Sequence, residues 1–254
     1  QKLIDLGHDD ILDDSVSTSN IHYINRLYIS HSNISDFTGL EGFYFLEELE
    51  VSGNLATSLD LSSFNHLKSF DGDMSNFTSL IFNDSIIEID IDQNQLVSLD
   101  LSNCVALEYL EADQNLLTSI DLTNCVALEE LDLEENQLTS LDLSSCIALK
   151  EIELEDNQLS ALDVSNCTLL EELEVQENEL TSLDVSDCII LEKLRANQNL
   201  LTTSTLVLSN SLIELYIEGI MGDLASLNLS NLISLEYLLI DGNDFNSFSL
   251  NGMP

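Results

Sequence analysis

The sequence predicts an elongated, strand-rich solenoid in which one short coil stacks on the next, and three observations carry that prediction. First, one stretch of chain is written about four and a half times between Cys104 and Asn199, as in CVALEYLEADQNLLTSIDLTN and then CVALEELDLEENQLTSLDLSS. Second, Cys recurs at 104, 125, 146, 167 and 188, and Asn at 115, 136, 157, 178 and 199, always 21 residues apart. Third, apolar and polar residues alternate within each unit. A fixed period of this size marks coils that cannot bury an apolar side alone and do so only by stacking.

The coils run from Ile24 onward. Their first apolar anchors are Ile24, Leu46, Leu67, Ile86, Leu107, Leu128, Leu149, Leu170, Leu191, Leu212 and Leu235, which makes eleven coils. The steps are 22, 21, 19, six of 21, then 23, so the stack is expected to bend or bulge at the short step after Leu67 and the long one after Leu212. In LEELDLEEN (128–136) the alternation turns Leu131 and Leu133 inward and Glu130, Asp132 and Glu134 outward, as in a half-buried strand. LTSLDLSS (138–145) repeats it, with Leu141 and Leu143 inward and Asp142 outward. No part of the unit is long or periodic enough for a full helix.

Asn136 lies in the turn between those strands and recurs for neither a strand nor a helix reason. A buried Asn side chain bonds the free backbone groups of neighbouring turns, so one in each coil would hold the stack in register. It is missing at Ser75 and Ile220, where less regular coils are expected. The cysteines are read as a buried ladder of free thiols, because stacked Cβ atoms ~4.8 Å apart exceed the ~3.5–4.5 Å a disulfide prefers. Phe64, Asn83, Ser209 and Leu232 take the same place in other coils. Residues 1–22 do not fit the repeat and are expected to cap its first coil, leaving 23–254 as one array. The tail SFSLNGMP reads as a truncated coil or the start of another.

Charge bounds the partners. The chain carries 47 acidic residues against six basic ones, a formal net charge of −41. That argues against nucleic acid, whose phosphates need Lys and Arg, and against anionic membrane surfaces. Basic protein surfaces, divalent cations and neutral ligands stay open, as does a coat that only keeps the protein hydrated. No run of 18 apolar residues appears, so no membrane span is expected. QKLIDLGHDD lacks the regions of a signal peptide, so any export signal is expected to lie outside this sequence.

The unit LxxLxLxxNxLxxLDLSxC resembles the leucine-rich repeat, in the internalin-like form with short repeats found in secreted and cell-surface proteins of the Bacteroidetes. The opening, in which ISDFTGLEGF leads into the array, is similar to theirs. The resemblance implies a horseshoe or arc with a parallel sheet on its concave face and little or no helix outside the cap. It also implies a bacterial protein outside the cell, working in adhesion or as one part of a larger exported protein.

On that geometry the outward residues of successive first strands form one surface. They are Glu88, Asp90 and Asp92; Tyr109, Glu111 and Asp113; Glu130, Asp132 and Glu134; Glu151, Glu153 and Glu155; then Glu172, Glu174 and Gln176. Carboxylates ~4.8 Å apart repel by ~0.9 kcal/mol in water and ~3.5 kcal/mol at an effective dielectric of 20, so such a face must be hydrated, screened, partly protonated or bridged by cations. The run breaks at Lys193 and Arg195. Tyr28, Tyr109, Tyr216 and Tyr237 offer flat contacts for protein or sugar.

A second row, Asp60, Asp100, Asp121, Asp142, Asp163 and Asp184, either shares calcium ions between coils or bonds its own turns. DIDQNQ (90–95) imitates an EF-hand opening and fails it, with Gln95 where Gly is required and Leu101 where Glu belongs. No P-loop, GxGxxG, GxSxG or HExxH is present, and the four His (8, 22, 31 and 66) are not clustered. A row of equivalent carboxylates has no means of pushing two pKa values apart for acid–base work. The sequence therefore reads as a non-catalytic recognition module for a protein partner. A carbohydrate-binding accessory module, with or without calcium, and a structural spacer are the alternatives.

Overall fold

The structure, a computed structural model, describes residues 5–7, 18–221, 226–243 and 247–249. Eleven three-residue strands pair in parallel into one continuous sheet: Arg26–Tyr28, Glu48–Glu50, Ser69–Asp71, Glu88–Asp90, Tyr109–Glu111, Glu130–Asp132, Glu151–Glu153, Glu172–Glu174, Lys193–Arg195, Glu214–Tyr216 and Tyr237–Leu239. Each begins two residues after one of the eleven apolar anchors. The middle residue of a strand faces the core and its neighbours face out, as Leu131 shows between Glu130 and Asp132. Pairing continues through the short step, where Ser69 faces Glu88, and through the long one, where Glu214 faces Tyr237. Strand pairing is therefore unbroken at both steps.

The short step is filled by aromatic packing. Phe70, Phe77 and Phe82 cluster with ring centroids 5.5 and 6.3 Å apart. Gly72 makes room for them, since a Cβ there would lie 2.7 Å from the Phe70 ring. Elsewhere the core is columns of Leu, Ile and Val from successive coils, most of them fully buried. Each such side chain stabilises the stack by about 1.5–3 kcal/mol. The five cysteines form one of these columns, free and buried, and burial raises the thiols to about 11 or 12. Phe64, Asn83, Ser209 and Leu232 are buried in the same column.

Short strands on the opposite side pair more sparsely. Ser58–Asp60 joins Ser79–Ile81, Ser98–Asp100 joins Ser119–Asp121, Leu183–Asp184 joins Leu206–Val207, and Ser226–Asn228 joins Ser247–Ser249. The last pair makes 247–249 part of the eleventh coil rather than the start of another. Of the expected cap, 1–4 and 8–17 lie outside the described residues, and Thr18–Ile21 forms one helical turn. Leu40–Gly42 adds a turn of 3-10 helix in the first coil.

The Asn ladder ties coil to coil. Asn136 donates to Ala112 of the preceding coil (2.9 Å) and to Leu133 and Glu134 of its own, while its oxygen accepts the Leu117 N–H (3.0 Å). Asn115, Asn157, Asn178 and Asn199 repeat this pattern. At Ser75 a hydroxyl stands in, accepting from the Asn54 N–H at 3.3 Å and donating to Asp73. At Ile220 the Asn of the next coil, Asn243, accepts the backbone N–H. The residue before each ladder position is left-handed: Gln93, Gln114, Glu135, Asp156, Glu177 and Gln198 have φ of 47–55°, and Gly53, Gly219 and Gly242 fill the same place at lower steric cost.

Asn136→Ala leaves the buried Leu117 N–H without its acceptor and takes one of two hydrogen bonds from the carbonyls of Ala112, Leu133 and Glu134, which keep those from Asn115, Asn157 and the Gln114 N–H. The expected loss is about 2–4 kcal/mol, read as a lower urea midpoint. An unchanged midpoint would show that the ladder bonds are replaceable.

Candidate functional site

The outward residues of the eleven-stranded sheet stand in three parallel rows, because the register pairs equivalent positions. The middle row runs Tyr28, Glu50, Asp71, Asp90, Glu111, Asp132, Glu153, Glu174, Arg195, Tyr216, Leu239. Seven carboxylates in succession, Glu50 to Glu174, thus end against a guanidinium. The row on its N-terminal side contains Glu88, Tyr109, Glu130, Glu151 and Glu172 before Lys193, Glu214 and Tyr237. The third row follows the strands with Asp73, Asp92, Asp113, Glu134 and Glu155, then Gln176.

The acidic face is longer than the sequence suggested. Glu48, Glu50, Asp71 and Asp73 were not singled out, and Asp71 and Asp73 come together with Asp90. Their positions in LKSFDGD match those of later coils, but the 19-residue step puts them out of the 21-residue count. Within the sheet, Asp71–Asp73–Asp90, Asp90–Asp92–Glu111, Asp132–Glu134–Glu153, Glu134–Glu155–Glu174 and Glu151–Glu153–Glu172 each bring oxygens within 4.8 Å of one another. These are the groups with the geometry to share a cation, although a lattice of like charges brings such atoms together with or without one.

Crowding makes the face hold protons. Burial, reinforced by Asp73 alongside, pushes Asp90 up to about 8. Burial and then Asp113 push Asp92 to about 9, and burial and then Glu153 push Glu134 to about 9. Glu153 rises to about 7 and Asp132 to about 6, in both cases chiefly through burial.

The cationic end behaves differently. Two positions expected to face solvent, Glu174 and Gln176, are buried, at 5% and 9% exposure. Lys193 bridges Glu172 and Glu174, Arg195 reaches Glu174 at 3.2 Å, and the Gln176 amide donates to Glu155 and Glu174. Burial alone would raise Glu174, but bonds from Lys193 and Gln176 outweigh it and hold the carboxyl below its usual range. Beyond it, the Arg195 guanidinium lies 4.9 Å from the Tyr216 ring centroid, and Tyr216 lies 5.0 Å from Tyr237. Tyr109 borders an open depression of about 120 Å³ floored by Leu110 and Leu131.

The second Asp row bonds its own turns. Asp60, Asp100, Asp121, Asp142, Asp163 and Asp184 each accept the backbone N–H two residues on, at 2.9–3.0 Å. Bonds from the Ser two residues on hold Asp60, Asp100, Asp142, Asp163 and Asp184 below the usual carboxylate range. Among the described residues, none of the grouped carboxylates comes from this row.

No protein-family model and no curated protein matches the sequence. Solved structures do. The functional domain of InlJ from Listeria monocytogenes, described as including a cysteine ladder, matches with a TM-score of 0.74 and 27% identity, over 89% of this chain. The chain has the leucine-rich-repeat fold. It spans only 55% of that InlJ chain. An internalin, InlF, also from Listeria monocytogenes, matches at TM-score 0.64 and 19% identity, over 96% of this chain and 81% of that one. FLRT2, in an octameric complex with Latrophilin 3 and Unc5D, provides a leucine-rich-repeat match at TM-score 0.65 and 15% identity, over 95% and 73%. In that fold the eleven-stranded sheet is the concave face of the repeat array.

The raised carboxyls set the direction of a pH effect. Their folded pKa values lie above the unfolded ones, so their protons are bound more tightly in the folded state. Their contribution is most favourable below the unfolded values near 4 and is lost as pH rises through about 6 to 9. The melting temperature is expected to climb as pH falls from 9 to 5 at constant ionic strength. A melting temperature that is flat or falls over that range would contradict the proton-sharing pairs.

Proposed function

We propose that this leucine-rich-repeat array is a non-catalytic recognition module, working outside the cell, that seats the basic patch of a protein partner on its concave face. The observation that carries this is the unbroken middle row from Glu50 to Glu174, stopped by Arg195. A coat serving only hydration has no need to align its charge on one face at strand spacing and then reverse its sign. Held this close, the carboxylates that no lysine or arginine of the chain pairs repel one another or hold protons, so lysines and arginines of a partner gain both affinity and steering. The same charge repels phosphate backbones and anionic lipid. Among the described residues no helix is long and apolar enough to cross a membrane.

The Arg195–Tyr216–Tyr237 platform gives the partner a different contact where the acid ends. Stacked tyrosines beside a guanidinium also suit a sugar ring, which keeps a glycan as the second reading.

Deca-lysine carrying a fluorophore is expected to bind, with affinity falling as salt rises. The triple variant Glu111→Gln, Asp132→Asn, Glu153→Gln is expected to weaken binding roughly tenfold or more, at about 0.5–1.5 kcal/mol per lost charge contact. Equal binding by the triple variant, or none by the natural chain, would remove the concave face as the docking surface.

A further inference from the structure

A second surface lies on the flank, where each coil turns back from the cysteine column toward the concave sheet. The residue after each Cys sits in the same turn, its N–H bonded two residues back: Val105 to Asn103, Val126 to Asn124, Ile147 to Ser145 and Ile189 to Asp187, at 2.7–3.0 Å. Identical turns in stacked coils set these side chains in one column. They are far from buried, at 49% for both valines, 56% for Ile147 and 71% for Ile189. Where Thr168 interrupts the column, Leu169 beside it is exposed instead, and Ile190 widens it at the next coil. The result is an uncharged apolar ribbon across five coils, about 19 Å long at ~4.8 Å per coil.

Copying of the repeat does not explain it. The ribbon changes residue type from Val to Ile to Leu; the coils next to it place Asn65, Asp84 and Asn210 at the corresponding position, and an exposed Ile233 stands there one coil further on. Exposed apolar patches of this continuity mark contact surfaces.

The surroundings define what fits. The turn amides named above are already bonded, so an added strand finds no free edge, and recognition must come through side chains. A helix presents apolar residues every 5–6 Å along one face, close to the coil spacing, and about 13 residues of helix cover 19 Å. Three residues past the ribbon, along its sheet side, stand Glu108, Glu129, Glu171 and Glu192, with Lys150 in the same row paired to Glu129. A second copy of this chain would bring the same acidic border against its own. We infer that the flank from Val105 to Ile190 docks an amphipathic helix of another protein, its apolar stripe edged with lysine or arginine.

This surface is separate from the concave face and is tested separately. The probe is a fluorescent Leu/Lys peptide of about 14 residues with its leucines on one helical face, compared with a scrambled isomer of equal composition and with deca-lysine. The double variant Ile147→Ser, Ile189→Ser alters residues outside the sheet and the Asn ladder, and an unchanged circular dichroism melt confirms its fold. The natural chain is expected to prefer the amphipathic isomer by roughly tenfold, from the apolar area it covers. The double variant is expected to lose that preference while binding deca-lysine as before. An absent preference, or one that survives the double variant, would overturn the assignment. So would self-association in sedimentation that the double variant abolishes, since the ribbon would then belong to a second copy.

Discussion

Everything in this molecule depends on the hydrogen bonds that an Asn in most coils makes to the coil before it. Three-residue strands are too short to hold a register alone, and a slip of one residue would turn each strand's apolar side outward. Asn136 and its equivalents prevent that by satisfying carbonyls in two coils and an amide in a third position, all away from water. The cost is a left-handed residue just before each Asn, carried by Gln, Glu or Asp in most coils although glycine takes that conformation with less strain.

A fixed register has an electrostatic consequence. It sets equivalent residues side by side, so one acidic position in the repeat becomes a row of acids at strand spacing. The array tolerates this in two ways. In the middle coils Asp92, crowded by Asp113, and Glu134, crowded by Glu153, retain protons near neutral pH. At Glu174 the compensation comes instead from Lys193, Arg195 and Gln176. The concave face is therefore less charged than its residues imply, and it can gain negative charge when a cation approaches.

Much of this was legible in the sequence. The 21-residue recurrence of Cys and Asn and the alternation in LEELDLEEN marked the coils, the inward leucines and the acidic strand positions, because each is a local pattern copied from coil to coil. What was not legible depends on neighbours. Asp71 and Asp73 fell outside the count because Phe70, Phe77 and Gly72 pack a shorter coil. The burial of Glu174 and Gln176 follows from the long side chains of Lys193 and Arg195 in the next coil, which no property of their own repeat announces. The flank ribbon was hidden because Val105 and Ile147 read as ordinary letters of the repeat until their shared turn placed them in one exposed column.

The claim that joins fold to function is that the acidic lattice holds protons which a cationic partner displaces. Calorimetric titration of the natural chain with deca-lysine at pH 7, in two buffers of different ionisation enthalpy, tests it most directly. Proton release is expected, seen as a binding heat that changes with the buffer by an amount corresponding to protons leaving the protein. The same heat in both buffers would mean that binding displaces no protons, and the crowded carboxylates would then be fully charged before any partner arrives.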